Sequence, residues 1–265
     1  MSIGRIQAGV IISIAVAIVA VVALEAIPHH NTPAPHRPAD TNTTTGPAPS
    51  RPSTPAKAPT IDLNGNRLDI PADGAGEALP QNPGTRPDPR SPAYLTTPPA
   101  GLDWQRSWGG AALPVSASDG PEKISNGIAS GFADTPQGAA LAACDALART
   151  VAAPDGVWQN VIRERYLGGG QALIDRIARS RTSTPDAAEY AIVPDGIRVL
   201  TDYRPDFAVV QIAVRASDGW AYGVWPMAWS GGDWRVRVPD DLETLWQPAV
   251  PVADLSDFGQ WRSTP

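Results

Sequence analysis

Histidine is nearly missing from this chain. Its three copies, His29, His30 and His36, lie close together near the N-terminus, and none follows them. The rest of the protein therefore has no imidazole for a Ser-His-Asp or Cys-His site, or for a His-liganded metal. Cysteine is scarcer still. Cys144 is the only one among 265 residues, so no intrachain disulfide can form and the fold must stand on its apolar core. Lysine occurs only at Lys57 and Lys123; all other bases are arginine. Base is also in deficit, with a formal net charge of −6. Residues 1–101 carry seven acids and seven bases, whereas residues 102–265 carry 20 acids and 14 bases. An acidic domain is a poor match for a phosphate backbone, so no direct nucleic-acid partner is expected.

Two residue types divide the chain. Of 29 prolines, 17 fall between Pro28 and Pro99, and all nine tryptophans follow, from Trp104 to Trp261. This places an N-terminal stub and apolar segment at 1–27, a Pro-rich linker at 28–101 and one folded domain at 102–265. A domain of that length buries a core without staples.

Residues 8–24 read AGVIISIAVAIVAVVAL and carry no charge. Ala8, Val10, Ile11, Ile12, Ile14, Val16, Ile18, Val19, Val21, Val22 and Leu24 make the run apolar on every face. As a helix it spans about 25 Å, the short edge of what crosses a bilayer. Arg5 precedes it and the next base is Arg37, a bias that favours a cytoplasmic N-terminus and an extracytoplasmic C-terminal domain. The rival reading is a cleaved signal peptide. Its apolar core is usually shorter, and Val21-Val22-Ala23 is only a passable cleavage site.

Residues 28–60 hold nine prolines among Thr, Ala, Ser, Asn and His. Each proline removes a backbone donor and fixes φ, which predicts an extended, partly polyproline II chain with a reach of about 100 Å. The Thr-rich stretch at 41–45 is of the kind found in O-glycosylated stalks. The three histidines read as solvated linker residues rather than a metal site. Residues 61–68 alternate around Asn64-Gly65, a hairpin signal, so 61–70 is a candidate ordered piece of the linker, a small hairpin that would add to the domain edge.

Within the domain, Thr135 is a good N-cap and Pro136 fits the first helical position. The helix runs to about Thr150, with Leu141, Cys144, Ala148 and Val151 on one face. Cys144 reads as a small buried hydrophobe. Asp155 is expected to cap a second helix with Trp158, Val161, Ile162 and Tyr166 inward. Gly168-Gly169-Gly170 breaks it, and a third helix ends near Arg181. No strand is expected before those glycines, and no Gly-Lys-Ser/Thr follows, so a phosphate loop is not indicated. Arg163, Arg165, Arg176, Arg179 and Arg181 read as solvated faces. From Tyr190 the period becomes two. Strands are expected over 197–203, 207–215, 220–230 and 234–238, with Pro226 requiring a bulge, a bend or an edge. Helices first and an antiparallel meander after them give an α+β class, with the helices on the concave face of a curved, cone-like sheet.

Two resemblances follow. Trp108-Gly109, Leu113-Pro114-Val115-Ser116, Asp119-Gly120-Pro121 and the run Gly131-Phe132-Ala133-Asp134-Thr135-Pro136-Gln137-Gly138-Ala139-Ala140 resemble the signature of an uncharacterised actinobacterial family. Its members are single-pass, proline-linked membrane proteins often seen beside conjugative or phage-like elements, and relatives are expected to carry His where Asp134 stands. Thr135-Pro136 and Phe132 need only a structural role, at the helix start. The helices, the meander and Trp229-Ser-Gly-Gly-Asp-Trp-Arg-Val236 are similar to the nuclear-transport-factor-like α+β cone. Bitopic scaffold proteins of type IV secretion and conjugation systems share that plan. The resemblance implies a cone held outside the membrane by one anchor helix, with envelope proteins as partners and oligomer formation open.

The expected function is therefore an envelope protein displaying a non-catalytic interaction domain, with no cofactor, no metal and no catalytic residue. The alternative is a small-molecule binder or carboxylate enzyme using the cone's pocket, for which Asp202, Tyr203, Asp206, Tyr222 and Glu189 are of suitable type. A third reading, a wall-binding or lytic role, rests on the tryptophans alone.

Overall fold

The computed structural model describes residues 57–263. The apolar run at 8–24, the three histidines, the Thr-rich stretch and most of the Pro-rich tether lie outside the described residues. Among the described residues, no helix is long and apolar enough to cross a membrane.

The described chain is a mixed α+β fold. Three two-stranded ribbons come first: β1 (Thr60–Ile61) with β2 (Arg67–Leu68), β3 (Asp103–Arg106) with β4 (Ala112–Val115), and β5 (Lys123–Ser125) with β6 (Ile128–Ser130). Three helices follow, α1 (Pro136–Ala152), α2 (Val157–Arg165) and α3 (Gly170–Ser183), with the short β7 (Tyr166–Leu167) between the last two. The main sheet is completed by β8 (Gly196–Val199), β9 (Phe207–Ala216), β10 (Gly219–Trp229) and β11 (Trp234–Arg237). Its order is β7-β11-β10-β9-β8, with β12 (Val250–Val252) also paired to β10. All pairs are antiparallel except β7 with β11.

Helix α1 is the centre of the molecule. Fourteen of its 17 residues are buried. It packs on β4 on one side and on β9 and β11 of the main sheet on the other. A helix enclosed on both sides is apolar all round rather than along one stripe, which is why alanine fills it. Of the expected face, Leu141, Cys144 and Ala148 are buried and Val151 is half-buried; Ala139, Ala140, Ala142, Ala143 and Ala146 are buried as well. Small side chains let the ribbon layer and the sheet approach the helix closely. The sheet's inner face alternates as the period of two requires. Ala208, Val210, Ile212 and Val214 of β9, Trp225 and Met227 of β10, and Trp234 and Val236 of β11 are all buried.

Three expectations are refined. Residues before 102 share the domain's core, in keeping with the hairpin read at 61–68. Leu68 is fully buried in the same core as Trp104, and Asp62 accepts a hydrogen bond from the Val193 N–H at 2.9 Å. The Asn64-Gly65 hairpin is thus stitched to the fold, and Gln137 holds residues 94–97 through their carbonyls. Second, Asp155 is not the cap of α2. Gly156 takes that position at φ 85°, where an aspartate would be strained, and Asp155 accepts instead from the Trp158 indole at 3.0 Å. Third, a two-residue strand does precede the glycine run at 168–170, although no phosphate-binding lysine or hydroxyl follows it.

Candidate interaction surface

The signature residues around the start of α1 form a buried clasp. Thr135 caps the helix: its Oγ1 accepts from the Gly138 N–H at 2.9 Å and donates to Asp119 Oδ1 at 2.6 Å. Arg86 Nε approaches the same carboxylate at 3.6 Å. Gly138 is obligatory, because a Cβ there would collide with the Ala133 carbonyl. Gln137 donates to the carbonyls of Tyr94 at 2.7 Å and Thr97 at 3.1 Å. Gly131 and Phe132 point their N–H groups at Asp233, at 2.9 and 3.2 Å. Asp233 sits in the β10–β11 turn and also meets Arg165 at 2.6 Å. Gly120 and Pro121 lie against this knot, where Gly120 abuts the Gly131 carbonyl. Trp108 and Pro114 are elsewhere: Pro114 is in β4, and Trp108 lies under Arg149, whose guanidinium carbon is 5.9 Å from the ring centre. Each of these residues closes a backbone gap, caps a helix or packs.

Arg165 and Arg181, read from sequence as solvated, are not. Arg165 is buried with Asp233. Arg181 reaches the carbonyls at the end of α1, donating to Thr150, Val151 and Ala153. It completes the helix C-terminus, where a cation is favoured. A second buried pair sits within α1, with Arg149 Nε 2.7 Å from Asp145 Oδ1. Burial pushes the Asp145 carboxyl up, and the Arg149 charge offsets only part of that.

The residues offered for a carboxylate enzyme do not converge. Asp202, Asp206 and Glu189 are exposed. Tyr222 faces outward beside Phe258, with ring centres 5.8 Å apart. Tyr203 stands on the other side, 6.3 Å from the Trp234 ring. Burial, then the charge of Asp134, raises the Tyr203 hydroxyl out of its ordinary range, so it stays protonated. Between the helices and the sheet lies a cavity of about 40 Å³, bordered by Leu147, Tyr166, Ile177, Trp225 and Trp246. That volume holds a few waters, far below the several hundred Å³ of a small-molecule pocket.

A larger opening lies at the sheet's broken edge. On one side β10 pairs with β9 throughout. On the other it pairs with β12 over Trp220–Tyr222 and with β11 over Met227–Trp229, leaving 223–226 unpaired there. The polarity is fixed by Trp229, whose N–H goes to the Asp206 carbonyl on the β9 side at 3.0 Å. Alternation then turns the N–H and C=O of Val224 towards the gap, whereas the C=O of Pro226 meets the end of β11 at Arg237. Pro226 resolves as the edge position that its missing N–H demands. After β11 the chain leaves the sheet at Pro239, forms the 3-10 turn Leu242–Trp246, and returns as β12. The excursion frames an apolar groove of about 290 Å³ between Tyr222, Val224, Pro226, Pro239, Pro248 and Val250. Val224 is 46% exposed and Val250 43%. Sequence gave one clue to this groove, the proline inside β10.

Neither the curated proteins nor the solved structures contain a match to this chain. Residues 69–260, which begin just after β2 and run past β12, match the model of DUF8175, a domain of unknown function, and the chain belongs to that family.

Proposed function

We propose that this protein is a bitopic envelope component that holds a non-catalytic protein-interaction domain outside the membrane. Residues 8–24 serve as the anchor and the Pro-rich stretch that follows as the tether. The observation that carries the reading is the contrast between the two cavities. The interior between helices and sheet is nearly filled, whereas an apolar groove opens outward where β10 has lost its neighbour. Proteins recognise one another through such exposed apolar concavities with unpaired strand groups at their base.

Other observations support it. The buried charges among the described residues, Asp62, Asp119, Asp145, Arg149, Arg165, Asp195 and Asp233, are each engaged with other protein groups and serve the fold. The candidate carboxylates for the enzyme reading are dispersed. The cone-like plan and the single-pass signature add a place in a conjugation- or secretion-type assembly, which rests on resemblance alone.

The test is photo-crosslinking in cells of the source organism, from a probe at Val250 of the membrane-borne chain. Capture of a defined envelope protein, lost when Val224→Lys is introduced, is the expected result. Turnover of a small molecule that disappears on deleting the domain, with no envelope protein captured, overturns the proposal.

A further inference from the structure

The groove has a candidate occupant within the same chain. Pro49, Pro52 and Pro55 recur at every third position, as do Pro35 and Pro38. A polyproline II helix has three residues per turn, so Pro49, Pro52 and Pro55 fall on one face of it. Proline faces of this kind dock on grooves built from aromatic and proline side chains. We propose that residues 49–55 dock in the groove at the β10 gap, so that the tether masks the domain's own apolar surface. The proposal does not depend on where in the cell the protein sits.

Four observations carry it. The groove walls are of the right kind: Tyr222, Trp225, Pro226, Pro239 and Pro248 line it. The backbone groups match, because Val224 presents one N–H and one C=O to the gap. The prolines of the segment supply carbonyls for that N–H, and the residues between them, Ser50, Arg51, Ser53 and Thr54, supply N–H groups for that carbonyl. The charges match too. Residues 41–57 contain no acid and carry Arg51 and Lys57, while the exposed acids Asp240 and Asp241 follow Pro239 at the groove's edge.

The tether also enters the domain at the correct end of the sheet. Asp62 binds the Val193 N–H. Two residues on, Asp195 donates to the Ala213 carbonyl, and Ala213 is the cross-strand partner of Tyr222. At about 4.8 Å per strand spacing, Tyr222 lies within about 25 Å of Asp62. The chain leaves the described fold at residue 57, and residues 49–56 have a reach of about 25 Å from there as polyproline II. Attachment to the domain raises the segment's local concentration to about the millimolar range.

The test uses the purified full-length chain in detergent, with Val250→p-benzoylphenylalanine as the photo-crosslinker. The expected product is an intramolecular crosslink to residues 47–57, independent of protein concentration. It falls at least tenfold in the Pro49→Ala/Pro52→Ala/Pro55→Ala variant, whose changes lie outside the family domain. Hydrogen exchange gives a second readout, with the peptide spanning 223–226 exchanging at least tenfold faster in the triple variant than in the native chain. A concentration-dependent crosslink to a second copy, a crosslink elsewhere in the chain, or equal exchange in both chains overturns the proposal. Capture of an envelope partner in cells is read separately, so failure here leaves the interaction-domain reading open to its own experiment.

Discussion

Arg165 of α2 and Asp233 of the β10–β11 turn form a buried ion pair, 2.6 Å from Nη1 to Oδ2, that ties three separate chain segments together. Asp233 also accepts from the N–H groups of Gly131, Phe132 and its neighbour Trp234, and Arg165 donates its other Nη to the Trp234 carbonyl at 2.6 Å. The Arg165 guanidinium covers the Phe132 ring, 5.4 Å from its centre. Removing either partner leaves the other charge buried and unpaired, which costs about 3–5 kcal/mol. Asp233→Ala and Arg165→Met are each expected to lower the urea midpoint accordingly. The Arg165→Met/Asp233→Ala double variant should lose clearly less than the two single losses combined, since neither charge is then stranded. Simple additivity would show that the pair is not coupled.

Thr135 performs two tasks with one oxygen, capping α1 and donating to the buried Asp119. A lost cap costs about 1 kcal/mol, and a buried carboxylate short of a donor about as much again or more. Thr135→Ala is therefore expected to destabilise the domain by about 2–3 kcal/mol in chemical denaturation. Thr135→Ser keeps the oxygen and should recover most of that loss. An equal loss in both variants would mean that the methyl group, not the hydroxyl, matters.

Local chemistry made parts of this fold legible. Thr135-Pro136 announced α1 because a cap and a preset φ act within one turn, and the nearly continuous apolar run through 207–215 announced β9, which has partners on both sides. What escaped was decided at long range. Arg163 and Arg165 look alike in sequence, yet only Arg165 meets Asp233, 68 residues away. The stitch from Asp62 to Val193 spans 131 residues, so the alternation around Asn64-Gly65 marks a hairpin but not where it docks. The groove was hidden for the same reason: it exists only because four residues of β10, 223–226, separate the stretch paired with β12 from the stretch paired with β11.

Cys144 lies in the middle of α1 with 6% of its surface exposed. Burial, then the adjacent Asp145 charge, pushes its thiol well above the ordinary range, so no thiolate forms at neutral pH. In the folded protein, an aromatic disulfide reagent is expected to react at least a hundredfold more slowly than with a free thiol. Reaction should become complete in denaturant, with the same midpoint as the loss of tryptophan fluorescence. Rapid labelling under native conditions would place Cys144 in an opening segment rather than in the core.

The 3-10 turn Leu242–Trp246, which frames the groove, is fastened to α3 by Arg176. Its Nε lies 2.9 Å from Glu243 Oε1, its guanidinium sits 4.2 Å from the Trp246 ring centre, and the indole donates to Ser180 Oγ at 3.2 Å. The hydrogen bond from Arg176 holds the Glu243 carboxyl below its ordinary value of 4.5. A depressed carboxyl contributes its attachment fully above the unfolded value and loses it as pH falls through the folded one. Docking of the turn should therefore be constant from neutral pH down to about 5, then weaken below about 4.5 as Glu243 takes up a proton. Trp246 emission, followed in a Trp246→Phe difference spectrum, should shift red over that window. In Glu243→Gln the carboxyl is gone, and the step should flatten while Arg176 stays stacked on the ring. A step of unchanged size in Glu243→Gln would assign the acid transition to another group and detach this turn from Arg176.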